Sequence, residues 1–206
     1  MDLLIGTRNK SKFERYKNVL KSFGEFSLVS LHDFKSEIAS PVETGLTAID
    51  NAKIKARYYS EQIQILTLSI DDSLELLDPS IINQPGVKVR RFQSEVELSD
   101  QQLLDKFLAV VKNTKNQRLD IRWTFALCLR TLSGKEYIET ANIENEFTTT
   151  IKHPIKKGYP LSSISYNKQI GKLQCDFNES DWNLYYQPLY MSLIKIISRY
   201  KTSLEI

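Results

Sequence analysis

The chain has 206 residues with 28 basic and 25 acidic side chains, a net charge of +3. That is long enough to bury a real core without disulfides and too weakly basic to argue for nucleic acid as a partner. Cys128 and Cys175 match no metal-ligand spacing, and no apolar stretch reaches membrane-spanning length, so a reduced cytoplasmic setting without a membrane partner is expected.

Leu3-Leu4-Ile5 reads as a short first strand, followed by the polar turn Gly6-Thr7-Arg8-Asn9-Lys10-Ser11. Phe13, Tyr16, Leu20 and Phe23 then recur at helical spacing, and Gly24 can end that helix. Residues 26–31 read as a second strand. After a loop with Pro41, residues 47–61 predict a helix with Ile49, Ala52, Ala56 and Tyr59 on one apolar face. The apolar run 63–70 predicts a buried strand that ends at Asp71-Asp72-Ser73. Asp78-Pro79 and Pro85-Gly86 mark turns. Ser99-Asp100-Gln101-Gln102 fits a capping box opening a helix with Leu103, Leu104, Phe107, Leu108 and Val111 toward the core. Residues 122–132 and 137–151 read as long strands joined at Ser133-Gly134, a hairpin expected to build a second lobe. Residues 189–200 predict a C-terminal helix. With no repeat or linker, one α/β domain over residues 1–206 is expected.

Asp71 and Asp72 are the most informative residues. In an open α/β sheet, ligand chemistry gathers at the carboxyl ends of strands, and adjacent carboxylates there repel unless a cation joins them. The pair therefore points to a divalent metal beside a phosphate. The turn before the first helix offers backbone amides with Lys10 and Lys12 to a polyphosphate. It lacks the second glycine of a P-loop, and alone a solvated basic turn accounts for it better. Glu43 precedes the second helix, on which Asn51 and Lys55 share a face. The acid and the amine could hold opposite sides of a metal-triphosphate, although singly they read as a helix-dipole partner and a surface charge. His32 and His153 read as structural or surface residues and Cys128 as a buried thiol.

The order of the clusters is more specific than any one of them: Thr7-x-Asn9-x-x-Lys12, Glu43-x-Gly45-x-Thr47 with Asn51-Ala52-x-x-Lys55-Ala56, Asp71-Asp72-Ser73, then Pro85-Gly86 and Arg91. Over residues 3–91 this resembles the inosine triphosphate pyrophosphatase family. The resemblance implies a mixed β-sheet flanked by helices, two lobes around a central cleft, Mg²⁺ dependence and a homodimer. It also implies hydrolysis of deaminated purine nucleotides such as ITP, dITP and XTP to the monophosphate and pyrophosphate. It assigns Thr7, Asn9 and Lys12 to the triphosphate loop and Lys55 to phosphate contact; Arg8, Lys10 and Ser11 in the same turn, with Asn51 and Ser73, are taken as further substrate contacts. Glu43, Asp71 and Asp72 become the metal-side acids, Asp72 the proton acceptor, and Lys12 and Lys55 the phosphate clamp.

The second half departs from the family. The usual G-F-G-Y-D-P segment corresponds to Gly158-Tyr159-Pro160-Leu161-Ser162-Ser163, with Ser162 in the aspartate's place and Tyr159 available either to stack on a purine or to pack locally. Tyr185-Tyr186-Gln187 stands where the family has S-H-R, so Tyr186 and Gln187 become the base-side candidates, with Lys168 or Lys172 as substitutes for the lost charge. Leu74 replaces a usual glycine, which implies either a different local turn or an alignment shifted by one residue. The alternatives left open are a nucleotide-binding protein with impaired catalysis and a pyrophosphatase of altered base choice.

Overall fold

A computed structural model describes residues 1–21, 23–34 and 38–203, without the side chains of Ser11 and Asn18. Seven strands, β1 (Asp2–Gly6), β2 (Ser27–Ser30), β3 (Leu66–Leu76), β4 (Arg118–Arg130), β5 (Glu136–Thr148), β6 (Ser165–Asn167) and β7 (Lys172–Leu173), form one sheet in the order β2-β1-β3-β4-β5-β6-β7. The helices are α1 (Lys10–Lys21), α2 (Ala48–Ile63), α3 (Asp100–Lys112), α4 (Glu179–Tyr185) and α5 (Gln187–Thr202).

Parallel pairing of β1 with both β2 and β3 follows from the crossovers that α1 and α2 supply. Leu3, Leu4 and Ile5 are wholly buried, as a parallel strand covered on both faces requires. At the other side β5, β6 and β7 pair antiparallel, so the sheet is mixed and the α/β expectation holds.

The chain forms two compact units. The first comprises Met1–Asp72, Phe125–Ala141 and Pro188–Ile206; the second comprises Ser73–Thr124 and Asn142–Gln187. In the first, Leu4, Leu31 and Tyr59 pack with Val29, Phe34 and Ile65. In the second, all five core-side residues predicted for α3 are buried, and Phe107 stacks on Phe92 at 4.7 Å and meets Phe147 edge-on at 5.4 Å.

Three expectations are corrected. The third strand does not end at Asp71 but continues to Leu76, because alternation sends Leu74 and Leu76 into the second unit's core. Leu74 therefore needs no special turn. It exchanges backbone hydrogen bonds of 2.9 and 3.0 Å with Gly86, and Gly86 itself takes the left-handed conformation, φ +53°. The hairpin does not form a lobe of its own, since its tip belongs to the first unit and its open end to the second. The short elements β6, β7 and α4 escaped the sequence reading. For α4 a signal existed, the capping box Asn178-x-x-Asp181.

Candidate functional site

The turn between β1 and α1 is built by its own side chains. Thr7 Oγ1 accepts the Asn9 N–H at 3.2 Å, and Asn9 Oδ1 accepts the Lys12 N–H at 3.1 Å, capping α1. His32 Nε2 donates to the Arg8 carbonyl at 3.2 Å. Gly6 is required where β1 closes on β3, because a Cβ there would lie 2.3 Å from Ser69 Oγ. Arg8, Asn9 and Lys10 are exposed, and the side chain of Ser11 lies outside the described residues.

Lys12, one turn into α1, reaches β3 and places its ammonium 2.6 Å from Asp72 Oδ1. From the N-terminal half of α2, Lys55 places its ammonium 2.5 Å from Asp71 Oδ1 and 3.1 Å from Glu43 Oε2. Consecutive strand residues point to opposite faces, so each aspartate receives its own lysine. The predicted acids and lysines thus come together within the first unit, but as two sets. Glu43 and Asp71 share Lys55, and Asp72 takes Lys12. Among the described residues no three His, Cys, Asp or Glu side chains form a ready metal cage.

The loop carrying Glu43 is held by α2. Asn51, almost wholly buried, accepts the Gly45 N–H through Oδ1 at 2.9 Å. Its oxygen is committed to that loop, so the structure gives Asn51 an anchoring role in addition to the substrate contact expected for it. Thr47 caps α2 in a reciprocal box with Asp50.

The balance between burial and nearby cations differs at the two aspartates. Burial raises the Asp71 carboxyl above the ordinary value despite Lys55, Asp71 being only 8% exposed. For Asp72 burial acts the same way but is outweighed by Lys12, with help from Arg15 and Lys55, so its carboxyl is held low. Reciprocally, burial would lower Lys12, yet Asp72 and Asp71 raise it and keep it an ammonium. One carboxylate is therefore firmly ionised at neutral pH beside a neighbour more readily protonated.

The donor chemistry suits a hard cation. Glu43 and Asp71 offer carboxylate oxygens to a position beside which an ammonium already sits. Mg²⁺ commonly binds through one or two carboxylates, with water and phosphate completing its shell. The residues present fit it without a third protein ligand.

The remaining candidates, Ser73, Tyr159, Ser162, Tyr186 and Gln187, belong to the second unit. Ser73 is half-buried and Gln187 exposed. Tyr159 is half-buried, with the Lys156 ammonium 5.5 Å from its ring centroid. Ser162 does not take over an acid's role; its hydroxyl donates to the Tyr159 carbonyl at 2.7 Å. Tyr186 is buried in an aromatic cluster, stacked on Trp182 at 5.4 Å and edge-on to Tyr185 at 4.8 Å. Lys168 and Lys172 are already neutralised, the first by Asp120 and Glu146, the second by Asp181, so neither stands as a free substitute charge. The Asn145–Asn167 pair was not anticipated: Asn167 donates to Asn145 and Asn145 to Tyr185, each at 2.9 Å and buried.

Comparison with known proteins identifies the family. Residues 3–168 match the Ham1 family. The chain is 32% identical over 127 residues to the dITP/XTP pyrophosphatase of Photobacterium profundum, a match covering 62% of this chain and 61% of that protein, under two thirds of its length. It is 26% identical over 181 residues to the dITP/XTP pyrophosphatase of Acholeplasma laidlawii, covering 87% and 86% of the two chains. In fold it is similar to the Ham1 protein of Staphylococcus aureus, with a TM-score of 0.74 at 16% identity over 100% of this chain and 98% of that one. It is likewise similar to a HAM1 protein from Coxiella burnetii, with a TM-score of 0.76 at 19% identity over 97% and 99% of the chains. The family match spans most of the chain and both compact units contribute to it, so this protein belongs to the Ham1 family.

Proposed function

We propose that the chain is a Mg²⁺-dependent nucleoside triphosphate pyrophosphatase, acting on deaminated purine nucleotides such as ITP, dITP and XTP and working as a homodimer in the cytoplasm. The observation that carries this reading is the double lysine–carboxylate arrangement, Lys12 on Asp72 and Lys55 shared by Asp71 and Glu43. Pairs that only stabilised the fold would not need two adjacent strand aspartates, each facing an amine from a different helix.

In this reading Glu43 and Asp71 would hold Mg²⁺, which would supply positive charge against the triphosphate. Lys12 and Lys55 release their carboxylates to grip phosphate oxygens, an exchange between anionic partners. Asp72, which Lys12 keeps ionised until substrate arrives, is then freed to orient a water and take its proton. The new bond forms from that water to the α-phosphorus, the bond to the β-phosphate oxygen breaks, and pyrophosphate leaves. Thr7 and Asn9 keep the turn in shape for the phosphates.

A second reading, binding without turnover or with altered base choice, is favoured by the base side alone. There Ser162 is turned inward, Tyr186 is buried and Lys168 and Lys172 are paired. One assay separates the readings: pyrophosphate release with Mg²⁺ over ITP, dITP, XTP, ATP and GTP. Turnover that prefers the keto purines and vanishes on chelation supports the proposal. Asp72→Asn is expected to lower turnover by about 10²–10⁴-fold, the usual contribution of a positioned base, while nucleotide binding persists. Tight binding without turnover of any nucleotide would establish the second reading, and equal turnover of ATP and ITP would remove the keto-purine preference.

A further inference from the structure

Lys12 holds the Asp72 carboxylate at 2.6 Å, yet the proposed reaction asks the same lysine to leave for a phosphate. Asp72 would then lose its donor at the moment it must aim a water, when orientation matters most. A replacement lies one turn further along α1. Tyr16 follows Lys12 by four residues, so both side chains leave the helix on the face from which Lys12 reaches Asp72. Tyr16 is wholly buried, and its hydroxyl has no hydrogen-bond partner among the described residues. An orphaned hydroxyl in a packed interior is destabilising and uncommon. Phenylalanine would fill the same space without that cost, so packing alone does not account for a tyrosine here.

Burial raises the Tyr16 hydroxyl well above its ordinary value; Arg15 opposes this, and the charge of Asp72 adds to it. The group therefore stays protonated at neutral pH, within electrostatic reach of Asp72. Arg15 has no acceptor and gives the phenol proton nowhere to go. The hydroxyl is thus a donor without an acceptor, beside a carboxylate whose Oδ1 is engaged by Lys12. A phenol is a suitable successor to an ammonium next to a base. It fixes the carboxylate through one oxygen without bringing a full positive charge, and so leaves the other oxygen better able to take a proton.

We infer that Tyr16 is a positioning residue for Asp72, its unpartnered hydroxyl taking up the carboxylate when Lys12 moves to a substrate phosphate. Lys12, Tyr16 and Asp72 all belong to the first unit, so the exchange of donors needs nothing from the second. The inference rests on the proposed hydrolytic function and deepens it, because it says what orients the base once its lysine has gone.

Urea denaturation of the ligand-free protein and steady-state kinetics with ITP and Mg²⁺ test it together. With Lys12 present, Tyr16→Phe should leave the urea midpoint unchanged or raise it, because it removes an unsatisfied hydroxyl. In a Lys12→Met background the hydroxyl should already have turned to Asp72. There Tyr16→Phe should raise the unfolding equilibrium constant by about 10- to 100-fold, the worth of a hydrogen bond to a charged group, a coupling that a double-mutant cycle isolates. Lys12→Ala serves if Lys12→Met does not fold. In turnover, Tyr16→Phe should lower kcat by about 10- to 100-fold for loss of the same bond, with KM within about threefold. A loss of stability on Tyr16→Phe with Lys12 present would mean the hydroxyl already has a partner, and overturns the inference. An equal stability effect in both backgrounds, or an unchanged kcat, does the same. If the wild type turns over no nucleotide, the catalytic proposal alone falls, and the comparison of stabilities still decides whether the hydroxyl succeeds the ammonium at Asp72.

Discussion

At the residue scale, the candidate site depends on residues chosen for their smallness as much as on those carrying charge. A Cβ on Gly45 would meet Asn51 Oδ1 at 2.5 Å, Asp50 Cβ at 2.6 Å and the Asn51 backbone nitrogen at 2.8 Å. The first contact is the bond that holds the Glu43 loop to α2, and the last is backbone that cannot turn aside. Gly45→Ala should therefore destabilise the protein by about 1–3 kcal/mol, the range for overpacking. It should also shift Glu43 away from Lys55. Urea denaturation checks the first effect and the Mg²⁺ concentration needed for half-maximal turnover the second. A variant with unchanged stability and unchanged Mg²⁺ requirement would show that the loop adjusts freely.

Among the elements, α2 matters most because it supplies Lys55, holds the Glu43 loop through Asn51 and covers β1 with Tyr59. Its start is fixed by the Thr47–Asp50 box, in which Thr47 Oγ1 accepts the Asp50 N–H at 3.2 Å and Asp50 accepts the Thr47 N–H at 3.2 Å. Thr47→Ala should cost about 1 kcal/mol, as lost N-caps typically do. Fraying would begin one turn before Asn51, so the Mg²⁺ requirement should rise along with the loss of stability. Thr47→Ser keeps the acceptor and should restore most of both. If serine rescues neither, the cap is not what orders this end of the helix.

At the scale of the whole molecule, most shifted carboxyls among the described residues point the same way on acidification. Arg57 and Arg130 hold Glu136 below the usual carboxylate value, and Lys172 does so for Asp181. Against a burial that would raise them, Lys195 and Arg199 hold Glu139 low, and the Gly158 N–H and Arg90 hold Asp100 low. Asp72 behaves likewise through Lys12. A carboxyl lowered in the folded state contributes stability that is present above its unfolded pKa and is lost as pH falls through the folded value. Asp71 runs the other way: burial raises it, so its charged form opposes folding at neutral pH and acid relieves that opposition. With one raised acid against several lowered ones, the urea midpoint should fall between about pH 5, just above the ordinary carboxylate values, and about pH 2. A midpoint constant across that interval would mean these pairs do not persist in solution.

How much the sequence determined by itself follows from the range of the forces involved. Helical spacing and capping residues are local, so α1, α2, α3 and α5 were legible, as was β1, whose unbroken apolar run marks a strand buried on both faces. The ordered motifs at Thr7–Lys12, Glu43–Lys55 and Asp71–Asp72 were legible as a family resemblance, since it is their order along the chain that carries the match. Tertiary structure alone decided which lysine faces which aspartate, since that depends on opposite faces of one strand meeting two different helices. It also decided that β3 continues past the aspartates, because burial of Leu74 and Leu76 favours extension over the turn that a missing glycine suggested. That Asp100 accepts from both Arg90 and the Gly158 N–H had no sequence signal: these partners lie 10 and 58 residues away, and only packing of distant segments brings them together.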